Sequence, residues 1–247
     1  MEMDRAGSHP ADAELAPTAH AVSVRRTARY YLLGVPGPAV NEVWLVLHGY
    51  GQLAGLFLQG FAGLARPDRL IVAPEGLSRF YLDAPVGGRH PPGRVGSSWM
   101  TAESAPSEVD DYIAYLDEVH ARVLRGCGGA NVIRLLGFSQ GVATACRWAV
   151  LGSAPPVSQL VLWAGLVPKT LTSQTLRARL AGVPVRLVAG EDDKYVSGDA
   201  LEAQGRELAE LGIQATVTRF AGGHVLDSDL LRSLLEAPVS PAGDSQA

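Results

Sequence analysis

Apolar residues recur along the 247-residue chain in runs of strand length. Most of these runs are continuous rather than alternating, which is typical of strands buried on both faces of a parallel sheet. They read EVWLVLH, RLIVAP, NVIRLLG, QLVLWAG and VPVRLVAG. The run IQATVTRF predicts one more strand. The run AVSVRRTARYYLL alternates more and predicts an antiparallel edge strand.

Helical patterns fall between the strand-like runs. The longest covers residues 107–125, with Ser107 as the expected N-cap and acidic residues in its first turn. Apolar residues at three- to four-residue spacing form one stripe along it, namely Val109, Ile113, Leu116, Val119 and Val123. Further helices are predicted from Gln140 onward and over residues 201–211 and 227–235. This alternation predicts an α/β domain with a doubly wound, mostly parallel sheet and helices on both faces.

Residues 76–106 follow neither period and contain many glycines and prolines. A loop of this length within a compact domain is usually functional or disordered. Its apolar side chains, Phe80, Tyr81, Trp99 and Met100, could line a pocket. The segment is therefore interpreted either as a pocket wall or as a solvated loop.

Composition narrows the classes of partner. The formal net charge is −4, and the chain carries no basic block, so nucleic acid and anionic membrane surfaces are poor candidates. Its two cysteines, Cys127 and Cys146, are too few for a disulfide framework. No apolar run approaches the length of a membrane span.

Both ends of the chain are rich in small and polar residues. Residues 1–20 contain Ala, Pro and charged side chains but no apolar core of a signal peptide. We expect disordered tails over residues 1–20 and 239–247, one folded domain over residues 21–238, and a cytoplasmic location.

The stretch LLGFSQGVATAC places Ser139 between a strand and a helix, two residues from a glycine on either side. Such a turn exposes the Oγ atom and aims the unpaired N–H groups of a helix N-terminus at the same place. A serine hydroxyl is a weak nucleophile, so it needs a base within hydrogen-bond reach, and the base needs an acid to orient it.

Suitable partners for this serine follow other predicted strands. One strand is followed by Glu191, Asp192 and Asp193, another by His224, and a third by the glycine-rich turn HGYGQ. Ligands of open parallel sheets bind beyond the carboxyl ends of the strands, so these groups are expected to meet there. Spacing alone leaves all three acids as candidates.

The motifs GFSQG, HGYGQ, GEDDKYV and FAGGHVLDSDLL occur at predicted strand ends, with Ser, Asp and His in the chain order of α/β-hydrolases. Over about residues 40–236 the chain resembles this fold. Within it the chain resembles the phospholipase/carboxylesterase family of small bacterial esterases and acyl-protein thioesterases. Many relatives have HGLGD and GFSQGG where this chain has HGYGQ and GFSQGV, a departure that bears on substrate preference.

The resemblance implies a catalytic triad of Ser139, Asp193 and His224, with the backbone N–H groups of Tyr50 and Gln140 as oxyanion donors. It implies hydrolysis of a small carboxylic ester through an acyl-enzyme, without a metal or organic cofactor. Thioesterase or lysophospholipase activity at the same site is the alternative.

An apolar substrate pocket is expected from five residues, although the same side chains could equally belong to the core. They are Phe57, Trp99, Met100, Trp163 and Leu166.

A second class of function comes from the glycines after the first long apolar strand. Gly49, Gly51 and Gly55 precede Glu75, which lies twenty residues after Gly55, in a loose likeness to a dinucleotide-binding fingerprint. The spacing is GxGxxxG rather than GxGxxG, and this hypothesis leaves GFSQG and GGH unexplained. A hydrolase fold that binds a ligand without catalysis is the third possibility.

Overall fold

A computed structural model describes residues 18–85, 87–89, 94–128, 130, 132–154 and 156–237. The predicted tail over 239–247, and residues 1–17 of the predicted tail over 1–20, lie outside these ranges.

The described residues contain nine strands. They are β1 (Tyr30–Leu33), β2 (Glu42–Leu47), β3 (Arg69–Pro74), β4 (Ser78–Tyr81), β5 (Val95–Ser98), β6 (Val132–Phe138), β7 (Gln159–Trp163), β8 (Val185–Gly190) and β9 (Ala215–Phe220). Seven of them form one sheet in the order β1-β3-β2-β6-β7-β8-β9. Only β1 runs antiparallel to its neighbour, as the sequence predicts for an edge strand.

Helices cover both faces of this sheet. They are α1 (Ala54–Gln59), α2 (Ala105–Gly126), α3 (Gln140–Leu151), α4 (Ser173–Leu180), α5 (Gly198–Glu210) and α6 (Ser228–Glu236). Alternate residues of β2 point to opposite faces, so Leu45 packs in the core with α2 to α5 and Trp44 in the core with α1 and α6. The predicted single-domain α/β architecture, a doubly wound, mostly parallel sheet, is confirmed.

Several boundaries differ from the sequence-based expectation. The edge strand keeps only residues 30–33 of the longer predicted run. Helix α2 begins at Ala105 with Ser104, not Ser107, at the N-cap, because Pro106 is well suited to the first helical turn. The segment 76–106, which has no clear period, contains the antiparallel hairpin β4–β5. Helix α4 was not predicted; Thr172 caps it by accepting a hydrogen bond from the Thr175 N–H at 3.2 Å.

A buried charge cluster joins the amino-terminal parts of the central strands to the end of helix α6. The Glu42 carboxylate pairs with Arg69 at 2.6 Å and with Arg134 at 2.9 Å, and all three residues are less than 10% exposed. The guanidinium groups also donate to the carbonyl oxygens of Leu235 and Ala237, at 2.7 and 3.0 Å. The cluster therefore fixes α6 against the sheet.

We expect Glu42→Gln to lower the free energy of unfolding by about 3–5 kcal/mol, because it leaves two buried guanidinium groups without a counter-charge. Urea denaturation at neutral pH measures the loss. The matched control is Glu118→Gln, which removes an exposed helical ion pair with Arg122 and should leave the midpoint unchanged. Equal midpoints for both variants would contradict a stabilising role for Glu42.

Candidate active site

Ser139 lies in a strained turn between β6 and α3. Its backbone angles are φ 54° and ψ −119°, a region that side chains rarely adopt, and its N–H donates to the Trp163 carbonyl at 2.8 Å. A Cβ atom at Gly141 would collide with the Leu47 carbonyl oxygen, and one at Gly137 would collide with the backbone of Gly141. Both glycines are therefore required for the turn to close.

The side chains of Ser139, His224 and Asp193 form one hydrogen-bonded chain. The Ser139 Oγ atom lies 2.8 Å from His224 Nε2, and His224 Nδ1 lies 2.8 Å from Asp193 Oδ2. A carboxylate only accepts hydrogen bonds, so Nδ1 carries the proton and Nε2 is left to accept from the serine hydroxyl.

The Asp193 side chain has no exposed surface. Its second oxygen accepts from the N–H groups of Tyr195 and Val196, at 2.8 and 3.1 Å. The neighbouring acids Glu191 and Asp192 are exposed instead. Of the three candidate acids, the structure therefore brings only Asp193 to His224.

Two aromatic rings hold the imidazole of His224. The ring centre of Phe138 lies 5.1 Å away, and the ring of Tyr195 meets the imidazole edge-to-face at 4.6 Å. The His224 side chain is 21% exposed, so it remains open to a ligand. Tyr195 was not among the predicted site residues.

Two backbone donors beside Ser139 have no partner among the described residues, namely the N–H groups of Tyr50 and Gln140. Gln140 begins α3. The turn that carries Tyr50 lies against the serine, since a Cβ atom at Gly49 would be 3.1 Å from Ser139 Cβ. Free N–H groups at a helix N-terminus and in a turn can bind a negatively charged oxygen.

The side chain of Gln140 ties this region to the end of β5. It accepts from the Trp99 N–H at 3.1 Å and donates to the Met100 carbonyl at 2.9 Å. The sequence predicted only a backbone role for Gln140. Its side-chain contacts join segments forty residues apart, and the hydrophobic pattern around Gln140 does not depend on them.

Three of the aromatic residues for which pocket and core were both open are buried in the core. Trp163 is fully buried and donates its ring N–H to the Val225 carbonyl at 2.9 Å, and Phe57 is 7% exposed. Trp99 is 1% exposed and donates to the His48 carbonyl at 2.8 Å. It borders a cavity of about 760 Å³ between residues 21–28 and α2 that none of the three hydrogen-bonded site residues lines. Both tryptophans can be buried because a backbone oxygen satisfies the indole N–H.

The other two predicted pocket residues, Met100 and Leu166, are half-buried and pack against the core. Three exposed apolar side chains also lie beside His224 or the Tyr50 turn. Tyr195 contacts His224, Val225 follows it, and Leu82 lies against the Tyr50 turn at Gly51. These three residues, here called the apolar rim, were not predicted from the sequence, because exposed apolar residues in loops show no periodic spacing.

Within the described part of the chain, no group of three or more His, Cys, Asp or Glu residues is arranged to hold a metal ion. None of the described helices combines the length and the apolar character that crossing a membrane requires.

Comparison with solved structures places this geometry in a known fold. Esterase PE8 covers 85% of this chain and 97% of its own, at 24% identity and a TM-score of 0.63. Acyl-protein thioesterase 2 of Zea mays also covers 85% of this chain and 97% of its own, at 19% identity and a TM-score of 0.64. The chain has an α/β-hydrolase fold. The carboxylesterase of Bacillus cereus is a further match, at 18% identity and a TM-score of 0.60, covering 85% of this chain and 92% of its own.

No protein-family model matches the sequence, and the search of curated proteins found no significant match. At these identities the likeness establishes the α/β-hydrolase fold, and the activity has to be argued from the site itself.

Two buried histidines are expected to make the stability of the fold depend on pH. Burial lowers the pKa of His48, although its hydrogen bond to the Gly49 carbonyl acts in the opposite direction. Burial also lowers the pKa of His120, against the smaller effect of Asp117. Both rings are therefore neutral in the folded protein at a pH where the unfolded chain begins to bind protons, near 6.5.

We expect the free energy of unfolding to fall on acidification below about pH 6.5, by up to about 1.4 kcal/mol per histidine and pH unit, until the folded-state pKa values are reached. Urea denaturation at pH values from about 7.5 to 5.5 measures this dependence. In His120→Gln the dependence should be shallower than in the wild type. A stability that stays constant over this range would rule out neutral buried histidines.

Proposed function

We propose that the protein is a serine hydrolase that cleaves carboxylic esters through an acyl-enzyme. The observation that carries this proposal is the continuous chain of hydrogen bonds from Ser139 through His224 to Asp193, with 2.8 Å at each step. A nucleophile, a base within reach and a buried acid that orients the base are the parts that acyl transfer needs.

In the proposed reaction, the Ser139 Oγ attacks the ester carbonyl carbon while His224 Nε2 takes the hydroxyl proton. His224 then returns that proton to the departing alcohol, which leaves the acyl group on the serine. Water activated by the same nitrogen releases the acid and restores the hydroxyl. Asp193 keeps the proton on Nδ1 and stabilises the imidazolium that forms in each half of the cycle.

The tetrahedral intermediates carry a negative oxygen, which we assign to the free N–H groups of Tyr50 and Gln140. Donors aimed in advance at this oxygen lower the barrier because they need no reorganisation during the reaction. The mechanism requires no metal or organic cofactor.

Thioester hydrolysis at the same site is the second candidate. One of the similar structures is named an acyl-protein thioesterase, and attack on a thioester carbonyl uses the same groups. The apolar rim of Tyr195, Val225 and Leu82 suits the acyl part of either substrate.

The structure argues against the dinucleotide-binding hypothesis, because the acid expected to bind the ribose is occupied. Glu75 is 2% exposed, and its carboxylate pairs with Arg29 at 2.6 Å and accepts from the Ala54 N–H at 3.2 Å. With these partners inside the fold, the carboxylate is not free to bind a ribose hydroxyl.

A fluorophosphonate probe tests the nucleophile. We expect the wild type to be labelled at Ser139 and to hydrolyse a nitrophenyl ester, and Ser139→Ala to lose labelling and about 10⁴-fold or more of kcat, since the triad acts as a unit. Ser173→Ala, at an exposed position in α4, is the matched control and should keep both. If Ser139→Ala keeps a tenth of the wild-type rate, the proposed nucleophile is wrong.

The acid is tested by two neighbouring substitutions. Asp193→Asn should lower kcat by about 10⁴-fold, because an amide can hold His224 in the wrong tautomer. Asp192→Asn alters an exposed side chain and should leave kcat close to that of the wild type. Steady-state kinetics on the same ester compares them, and the reverse order would assign the role to Asp192.

A further inference from the structure

The turn formed by residues 49–52 leaves one backbone donor free among its four. The Gly49 N–H donates to the side-chain oxygen of Gln52 at 2.8 Å, and the Gly51 N–H donates to the Ser97 carbonyl at 2.9 Å. The Gln52 N–H donates to the Gly49 carbonyl at 3.2 Å. Only the Tyr50 N–H has no partner among the described residues.

The direction of that free N–H is set by the carbonyl of Gly49, which belongs to the same peptide unit. No described peptide bond is cis, so the Tyr50 N–H points away from the Gly49 C=O. The carbonyl accepts from His48 Nδ1 at 2.8 Å and from the Gln52 N–H at 3.2 Å. The two groups that bind the Gly49 carbonyl, the His48 ring and the Gln52 N–H, therefore also set the direction of the Tyr50 N–H.

Gln52 binds both polar groups of Gly49, one through its side chain and one through its backbone. Its own carbonyl is fixed in turn by Ser97, whose N–H and Oγ donate to it at 3.2 and 2.8 Å. Gln52 thus connects the turn to strand β5 of the hairpin.

Gly49 is tightly packed beside Ser139. A Cβ atom at Gly49 would lie 3.1 Å from Ser139 Cβ and 3.2 Å from the Gln52 side-chain oxygen. Gly49 is therefore enclosed between Ser139 and the glutamine, and the Gln52 side chain fixes Gly49 on the side that precedes the peptide unit carrying the Tyr50 N–H.

We propose that Gln52 is a positioning residue for the oxyanion site: its carboxamide oxygen fixes the Gly49 N–H, its backbone N–H holds the Gly49 carbonyl, and the two bonds together set the turn so that the Tyr50 N–H points at the negative oxygen of the intermediate. The inference rests on the proposed hydrolase function. Because that oxygen becomes negative only as the reaction proceeds, loss of the clamp lowers kcat more than it raises KM.

The test compares Gln52→Met, which has similar length but no acceptor oxygen, with Gln52→Glu, which keeps an acceptor of the same reach. Gln59→Met, an exposed position at the end of α1, is the matched control. The measurements are kcat and KM on a nitrophenyl ester, the Kd of an arylboronic acid, whose tetrahedral adduct with the serine carries a negative charge, and the melting temperature.

We expect Gln52→Met to lower kcat about ten- to hundred-fold, with KM within about twofold, and to weaken boronate binding by a similar factor. Gln52→Glu should recover part of that loss, because it restores the acceptor although its negative charge disfavours the oxyanion, and Gln59→Met should behave as the wild type. If Gln52→Met does not fold, Gln52→Asn, whose amide is one methylene too short, carries the same expectation.

Two results would overturn the inference. One is a kcat for Gln52→Met within about threefold of the wild type. The other is an equal loss in Gln52→Met and Gln52→Glu that follows the melting temperature, which would make Gln52 merely structural. Failure of the wild type to react with fluorophosphonate or to cleave any ester would instead reject the hydrolase function, and this inference with it.

Discussion

The close approach of helix α3 to strand β2 is the constraint on which the site depends. Gly141 lies directly against the Leu47 carbonyl, so the helix can begin beside the end of β2 only if that position has no side chain. The same approach bends the backbone at Ser139 into an unfavourable region, at a cost of about 1–3 kcal/mol. It also brings the turn at Gly49 against the serine, so one packing contact places both Ser139 and the free N–H group of Tyr50.

The fold and the order of the site residues could be predicted from the sequence because both depend on local patterns. Continuous apolar runs identify strands buried on both faces, and the carboxyl ends of parallel strands meet at one edge of the sheet. Ser139, Asp193 and His224 each follow a strand that runs parallel to its neighbours in the sheet. Their meeting therefore requires only the strand order, which the right-handed connections of α/β proteins restrict to few possibilities. The choice of Asp193 over its neighbours came from the family resemblance.

What could not be predicted depends on contacts between distant segments. The apolar character of Trp99 fits either a pocket or the core, and its burial follows from an indole N–H that finds the His48 carbonyl. Gln52 and Gln140 appear as polar residues in turns, and nothing in their spacing reveals that their side chains bind Gly49 and Met100. Side-chain hydrogen bonds of this kind are set by three-dimensional geometry, to which hydrophobic periodicity is not sensitive.

His48 and His224 both lie near Ser139 and both carry their proton on Nδ1, but their Nε2 atoms have different hydrogen-bond partners. In both, an oxygen acceptor holds the proton on Nδ1: the Gly49 carbonyl for His48 and the Asp193 carboxylate for His224. The Nε2 atom of His48 accepts from the Gly76 N–H at 3.0 Å within a fully buried ring, so it can take a proton only by giving up that bond. The Nε2 atom of His224 faces the Ser139 hydroxyl in a partly exposed side chain. The surroundings of Nε2 thus make His48 a fixed support of the turn, and they suit His224 to the proposed role of general base.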